Sequence, residues 1–223
     1  MKLKVLASSS NGNCYLLENE TETLIIEAGI TFKRIQEGID FNTSKVVGCL
    51  VTHEHKDHSK SITDLLKNGI DVYASKGTIE AMALEEEYRI KRIKSQETIR
   101  TGGFTILPFD TQHDAAEPLG FLIQHKDMGK LLFITDSYYC KYKFKGLDHI
   151  LVECNYQRDL LEENIENGTL PEWLRDRITK SHFELENVKE FLRSSDLSRT
   201  KNIVLVHLSS QNSDGELFSR EIE

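Results

Sequence analysis

Short apolar runs separated by polar turns open the chain: residues 3–6, 14–17 and 23–26 read as strands, with Ser8-Ser9-Ser10-Asn11-Gly12-Asn13 turning between the first two. That turn offers backbone N–H groups of the kind that bind phosphate, although a plain hairpin loop is the simpler reading. Residues 32–37 suit a short helix, and 46–51 return as a buried strand. Behind it Ile62, Leu65 and Leu66 fall at helical spacing, closed by the stop signal Asn68-Gly69. Residues 71–74 form a strand and 77–88 a helix with Ile79, Met82 and Ala83 inward. Strands come next at 104–109, 119–124, 131–135 and 150–153. A polar helical stretch, 157–180, is broken by Ser181-His182. Leu185, Val188, Phe191 and Leu192 mark an amphipathic helix, and 203–206 is the final strand.

Strand runs in both halves of the chain, each half with its helices, predict an α/β (α+β) protein, a four-layer αββα sandwich of two sheets flanked by helices. The 223 residues carry no repeat, low-complexity tract or Pro/Gly linker, so one domain over 1–223 is expected. With 39% hydrophobic and 29% charged residues the composition is that of a soluble globular protein. No apolar run approaches the ~18–20 residues of a membrane span, and Val5-Leu6-Ala7 is too short for a signal peptide. A cytoplasmic protein without a membrane partner is expected. Cys14, Cys49, Cys140 and Cys154 form no CxxC pair and read as small apolar side chains. A net charge of −8 excludes a protein that coats nucleic acid non-specifically, but not an enzyme that grips a strand locally.

The chemistry concentrates in Thr52-His53-Glu54-His55-Lys56-Asp57-His58, behind the strand at 46–51. Imidazole nitrogens and carboxylate oxygens are the usual non-sulfur ligands of Zn²⁺. In an extended loop His53 and His55 point the same way, while Asp57 and His58 reach a neighbouring position, so one loop can serve two metals. A second histidine, His113, stands after the strand at 104–109. Asp136 ends Leu131-Leu132-Phe133-Ile134-Thr135, a place where a buried acid needs a partner. Glu153 and Asn155 leave the end of the strand at 150–153, and His207 ends the last one.

His53-x-His55-x-Asp57-His58, then His113, then Asp136 in Thr-Asp-Ser, then His207, resemble the metallo-β-lactamase fold superfamily in type, order and spacing. The serine-rich loop before Asn11-Gly12-Asn13, the His113-Asp114-Ala115 step and Leu208-Ser209 are similar to the YycJ/WalJ-type nuclease branch. The resemblance implies that His53, His55 and His113 hold one metal, that Asp57, His58 and His207 hold a second, and that Asp136 bridges them. Two divalent ions, Zn²⁺ or Mn²⁺, would polarise a phosphoryl group and generate a bridging hydroxide near neutral pH. Di-iron members carry glutamate in place of His55. Many true β-lactamases have cysteine in place of Asp136 and lack His58, so redox chemistry and antibiotic hydrolysis are disfavoured. Glyoxalase-like thioesterases share the ligand set. Two positions depart from the family pattern: Glu27 stands where aspartate is usual, and Ser61 where glycine is common.

Asp57 and His182 are the residues expected at the reaction itself. His182 either donates a proton to the leaving oxygen or contacts the phosphate, or else caps a helix at the surface. His125 and His149 have no partner motif and read as ordinary surface or core residues. Substrate contacts are expected from His182, Asn155, Ser209, Lys141 and Lys143. In Lys141-Tyr142-Lys143-Phe144-Lys145, lysines can pair phosphates and aromatics stack a base, while a solvated strand with Tyr142 and Phe144 in the core explains the same alternation. His182 lies only 46 positions after Asp136, too few for the inserted domain of large RNA-processing members. The leading expectation is an exonuclease acting on single-stranded or nicked DNA, with RNA as a possible substrate. Alternatives are a phosphodiesterase of cyclic or other small nucleotides, a thioesterase, or a metal-bound scaffold without activity. A homodimer is compatible with each.

Overall fold

The computed structural model describes residues 1–222. Among them strands fall into two sheets accompanied by eight helices, the mixed α/β class expected. The chain divides into two compact units, residues 1–110 with 115–128, and residues 111–114 with 129 onward. No described helix is long and apolar enough to cross a membrane.

In the first unit β1 (Lys2–Ser9), β2 (Gly12–Glu18) and β3 (Thr23–Ile26) are antiparallel neighbours. Then β4 (Val46–Leu50), β5 (Val72–Ser75) and β6 (Ile90–Ile93) continue the same sheet in parallel. Parallel pairing requires crossovers. They contain α1 (Phe32–Gly38), α2 (Lys56–Ser59) with α3 (Ile62–Lys67), and α4 (Lys76–Ala81). Their apolar faces close one core with the sheet: Cys14, Leu16, Ile25, Cys49, Val51, Ile62, Leu65 and Ile79 are buried in it. Each fully buried leucine or isoleucine adds about 1.5–3 kcal/mol. Three further strands, β7 (Ile99–Thr101), β8 (Phe104–Asp110) and β9 (Leu119–His125), pair antiparallel in this unit.

The second unit holds β10 (Gly129–Ile134), β11 (His149–Glu153) and β12 (Asn202–Val206), all parallel. Between β11 and β12 run α5 (Arg158–Glu166), α6 (Glu172–Ser181) and α7 (Leu185–Arg193), and α8 (Gly215–Ile222) comes after β12. The expected amphipathic helix is α7, capped by the Glu184 carboxylate, which accepts from the amides of Glu186 and Asn187.

Several expectations need correction. The helix expected over 77–88 is α4, which stops at Ala81. Ala83 takes φ +54 and is exposed, as are Glu85, Glu86, Glu87 and Tyr88, because an inward stripe of one turn cannot cover an acidic run. The stretch 157–180 is two helices, broken where Gly168 turns at φ +76 and Pro171 caps the next one. The short strands β6 and β7 and the helix α8 were not expected from the pattern. Residues 140–145 form no strand.

Candidate metal centre

In the first unit the donor loop leaves β4 through buried Val51 and Thr52, whose carbonyl accepts the Leu119 amide at 3.0 Å. Thr52 Oγ1 lies 2.9 Å from His53 Nδ1. The backbone then winds into α2. The amides of His58 and Ser59 both donate to the His55 carbonyl, and Ser59 Oγ donates to Glu54 O at 2.7 Å. This single turn gathers three imidazoles: His53 stands 4.6 Å from the His55 ring and 4.3 Å from the His58 ring. Asp57 Oδ2 lies 3.2 Å from His58 Nε2. Nitrogen and carboxylate donors packed this closely fit a borderline divalent ion.

Two neighbours fix that loop. Buried Asn13 donates through Nδ2 to the Asp57 carbonyl at 3.3 Å and sits 3.2 Å from His58 Nε2. Its partner amides explain the turn at 8–13: the Ser9 amide donates to Asn13 Oδ1, and the Asn11 amide donates to Ser9 Oγ, so these N–H groups serve the hairpin itself. Glu27, buried at φ +67, places Oε2 3.5 Å from His58 Nδ1 and accepts from the Thr52 amide at the same distance. The longer acid therefore reaches the ligand loop. Gly29 is required by close approach, since a Cβ there would fall 1.5 Å from the Asp57 carbonyl oxygen.

In the second unit the donors come from strand ends. His113 is 2% exposed in its side chain, donates from Nδ1 to the Ser181 carbonyl at 2.9 Å and presents Nε2 3.6 Å from Asp136 Oδ2. Burial holds its pKa below the ordinary histidine value against the opposing pull of Asp136, which suits a neutral ligand. Asp136 stands after β10 at φ +47, and His207 after β12 at φ +54. His207 Nδ1 lies 2.9 Å from Glu153 Oε1 and 3.0 Å from Asp136 Oδ1. Glu153 also receives His182 Nδ1 at 2.6 Å and the amides of Ser137 and Phe183 at 3.0 and 3.3 Å. Asp136, Glu153, His182 and His207 each offer a ligand atom, all within 4.8 Å of one another. Burial alone would raise the Glu153 pKa. The His182 charge and the bonds from both histidines outweigh it and hold the carboxyl low. His182 answers in kind: burial pushes it down, but Glu153 prevails and raises it.

Each unit thus assembles its share of the expected ligands, His53, His55, Asp57 and His58 in one, His113, Asp136 and His207 in the other. His182, rather than facing solvent, lies among the donors of the second unit. Asn155 is buried, and its Nδ2 donates to the His207 carbonyl at 2.8 Å, clamping the backbone of that candidate ligand. Half-buried Ser209 donates its amide to Asn155 O and accepts the Asn212 amide on Oγ. Lys141 and Lys143 are exposed; Tyr142 and Phe144 are half-buried with rings 6.4 Å apart. His125 is buried with Nε2 3.0 Å from Glu22 Oε1, and His149 pairs with Asn202. The four cysteines are free thiols, and only Cys140 is not buried.

Sequence reasoning gave Asn13 no functional role and noted Glu153 at a strand end without assigning it one. Glu153 carried a usable signal, an acid closing the apolar run Ile150-Leu151-Val152 as Asp136 closes its own. Asn13 carried none beyond its turn.

The model of the beta-lactamase superfamily domain matches residues 26–208. The chain is 31% identical to exodeoxyribonuclease WalJ of Streptococcus pneumoniae serotype 2 (strain D39), over 97% of this chain and 84% of that protein. It is likewise 31% identical to exodeoxyribonuclease YycJ of Bacillus anthracis, over 97% and 86%. Among solved structures, the metallo-β-lactamase fold protein YhfI from Bacillus subtilis superposes with a TM-score of 0.74 at 16% identity, covering 99% of this chain and 90% of that one. At that identity the likeness concerns the fold alone.

Proposed function

The chain belongs to the β-lactamase superfamily, in its metallo-β-lactamase fold, and on that premise we propose that it is a divalent-metal-dependent phosphodiesterase that digests DNA from its ends. The observation that carries this reading is 31% identity, along 97% of the chain, to proteins named as exodeoxyribonucleases.

His53, His55 and His113 would hold one ion, Asp57, His58 and His207 another, with Asp136 shared. The nitrogen and oxygen donor set suits Zn²⁺ or Mn²⁺. When bound, such ions supply polarisation of the phosphoryl oxygen and activation of water. The protein's part is orientation. The Nδ1–H of His113 is spent on the Ser181 carbonyl and that of His207 on Glu153, so each ring keeps Nε2 as its coordinating atom. Asp57 belongs at the reaction as a ligand. His182 keeps Nδ1 on Glu153 and offers its other ring nitrogen to the leaving oxygen as proton donor. Four free thiols accord with a reducing cytoplasm as the site of action.

The test is to incubate Zn- and Mn-loaded protein with end-labelled single- and double-stranded DNA and RNA, cyclic nucleotides and a lactam, alongside Asp57→Ala. The wild type is expected to release nucleotides from DNA ends, and the variant to fall to background. Failure of the wild type to cut any phosphodiester under either metal overturns the reading. Retained cutting by Asp57→Ala overturns the ligand assignment.

A further inference from the structure

Two residues beyond Asp136 the chain leaves two tyrosines partly exposed. Tyr138 and Tyr139, adjacent in sequence, are 40% and 57% exposed, whereas Tyr15 and Tyr156 are buried in the core. The main chain beneath the exposed pair is pinned. The Ser137 amide donates to Glu153 Oε2 at 3.0 Å, the Gln112 amide to Ser137 Oγ at 3.0 Å, Ser137 Oγ to the Tyr139 carbonyl at 2.7 Å, and the Tyr138 amide to Gln112 O at 3.2 Å. The carboxylate that anchors this turn is the one that holds His182 and His207. The rings are therefore presented in water from a fixed backbone beside the second unit's donor cluster. Phe41, Tyr88 and Trp173 are more exposed still, so it is the pinned backbone and the nearby donor cluster, not exposure alone, that set this pair apart.

The residues just beyond the pair supply the charge. Lys141, Lys143 and Lys145 are exposed, while the aromatics between them are half-buried, so Tyr142 and Phe144 anchor the stretch and the lysines face solvent. Lys141 Nζ lies 5.1 Å over the Tyr142 ring. Three neighbouring cations in a chain of net charge −8 form a local attraction for phosphate, not a general one.

We propose that Tyr138 and Tyr139 are a stacking platform for the bases of an unpaired DNA end, with Lys141 and Lys143 pairing the adjoining phosphates. The inference rests on the nuclease reading and deepens it by naming the side chains that receive the bases of an unpaired strand. A base inside a duplex has both faces covered and a terminal pair has one face open, whereas unpaired bases can each lay a face on a ring; single strands are gripped by this combination of stacking and backbone charge. The aromatics interleaved with the lysines are anchors here, and the pair immediately before them does the stacking.

The experiment compares a fluorescein-labelled thymidine oligonucleotide with an all-abasic phosphodiester of equal length, by fluorescence anisotropy on metal-free and Mn-loaded protein, beside a cleavage assay. The wild type is expected to prefer the thymidine strand by roughly tenfold or more. Tyr138→Ala/Tyr139→Ala should erase that preference without weakening the abasic strand, while Tyr138→Phe/Tyr139→Phe, which keeps the rings, retains it. Lys141→Gln/Lys143→Gln should weaken both strands equally and flatten the logarithmic salt slope by about 0.7 per lysine. An undiminished preference in the alanine pair overturns the platform. A wild type that cuts DNA but ignores bases also overturns it while leaving the nuclease reading standing. A wild type that neither binds nor cuts DNA removes both.

Discussion

In the first unit the donors come from one contiguous loop, His53 to His58, whereas in the second they stand at the ends of separate strands, Asp136 after β10, Glu153 closing β11 and His207 after β12. The loop is shaped by one turn of helix and a close backbone neighbour, with Asn13 and Glu27 as side-chain props. His55 accepts the amides of His58 and Ser59, and Gly29 lets the Asp57 carbonyl approach. The strand-end set needs more. Asp136 and His207 both adopt left-handed backbone, which costs about 1–2 kcal/mol for a residue with a Cβ, and persists only where the surroundings over-determine it. Those surroundings are three parallel strands and the Glu153 carboxylate that ties two histidines and two amides together. A contiguous site is thus held by backbone, a dispersed one by a side-chain hub.

The largest expected effect breaks the backbone side of that contrast. Gly29→Ala drives a methyl group into the Asp57 carbonyl, and nothing flexible can yield there. We expect a loss of about 4 kcal/mol or more, in the range reserved for disrupted cores and backbones, seen as a collapse of the thermal midpoint by circular dichroism.

Next comes the hub. Glu153→Gln keeps the shape but removes the charge that receives His182 at 2.6 Å and His207 at 2.9 Å. Metal affinity, measured by competition with a chromophoric chelator, should fall about 10–100-fold, the usual cost of losing a ligand's supporting carboxylate. Glu27→Gln in the first unit should cost less than tenfold, because its contacts to His58 and Thr52 are at 3.5 Å. Equal losses at the two positions would erase the distinction between the units.

The smallest effect lies at the other end of the second unit's strands. Asp148 accepts the Lys130 amide at 3.0 Å and has Arg199 and Lys201 at 3.5 Å. The amide bond foremost, and then the cations, hold its carboxyl below the ordinary range against the pull of burial. A depressed carboxylate stabilises the fold above its unfolded pKa, and that contribution is lost as pH falls through the folded value. Between about pH 5 and pH 2 the melting temperature of the wild type should therefore fall more steeply than that of Asp148→Asn, the two converging in acid. Parallel curves would show that the bond contributes nothing.

How much of this was legible differs in the same way. Strands such as β4 and β10 announce themselves, because a strand buried in a parallel arrangement must be nearly all apolar. The short β6 and β7 do not, since Ile90-Lys91-Arg92-Ile93 and Ile99-Arg100-Thr101 owe their state to a neighbouring strand rather than to a pattern. The break in 157–180 was written in Asn167-Gly168 and Pro171 and could have been read. The end of α4 at Ala81 could not be read with equal ease, as a glutamate run is as good a helix former as any until burial is decided.

By itself the sequence determined the chemistry available: which donors exist, that four of them share one loop, and that others end apolar runs, because ligand type and strand periodicity are local properties. Only the tertiary structure decided what each donor leans on. It spends the second ring nitrogen of His113 and His207, turns Asp136 and His207 through left-handed backbone, sets Asn13 and Glu27 against His58, makes Glu153 the hub, and leaves Tyr138 and Tyr139 in water. All of these arise from contacts between residues far apart in the chain, and no local pattern encodes a distance across a fold.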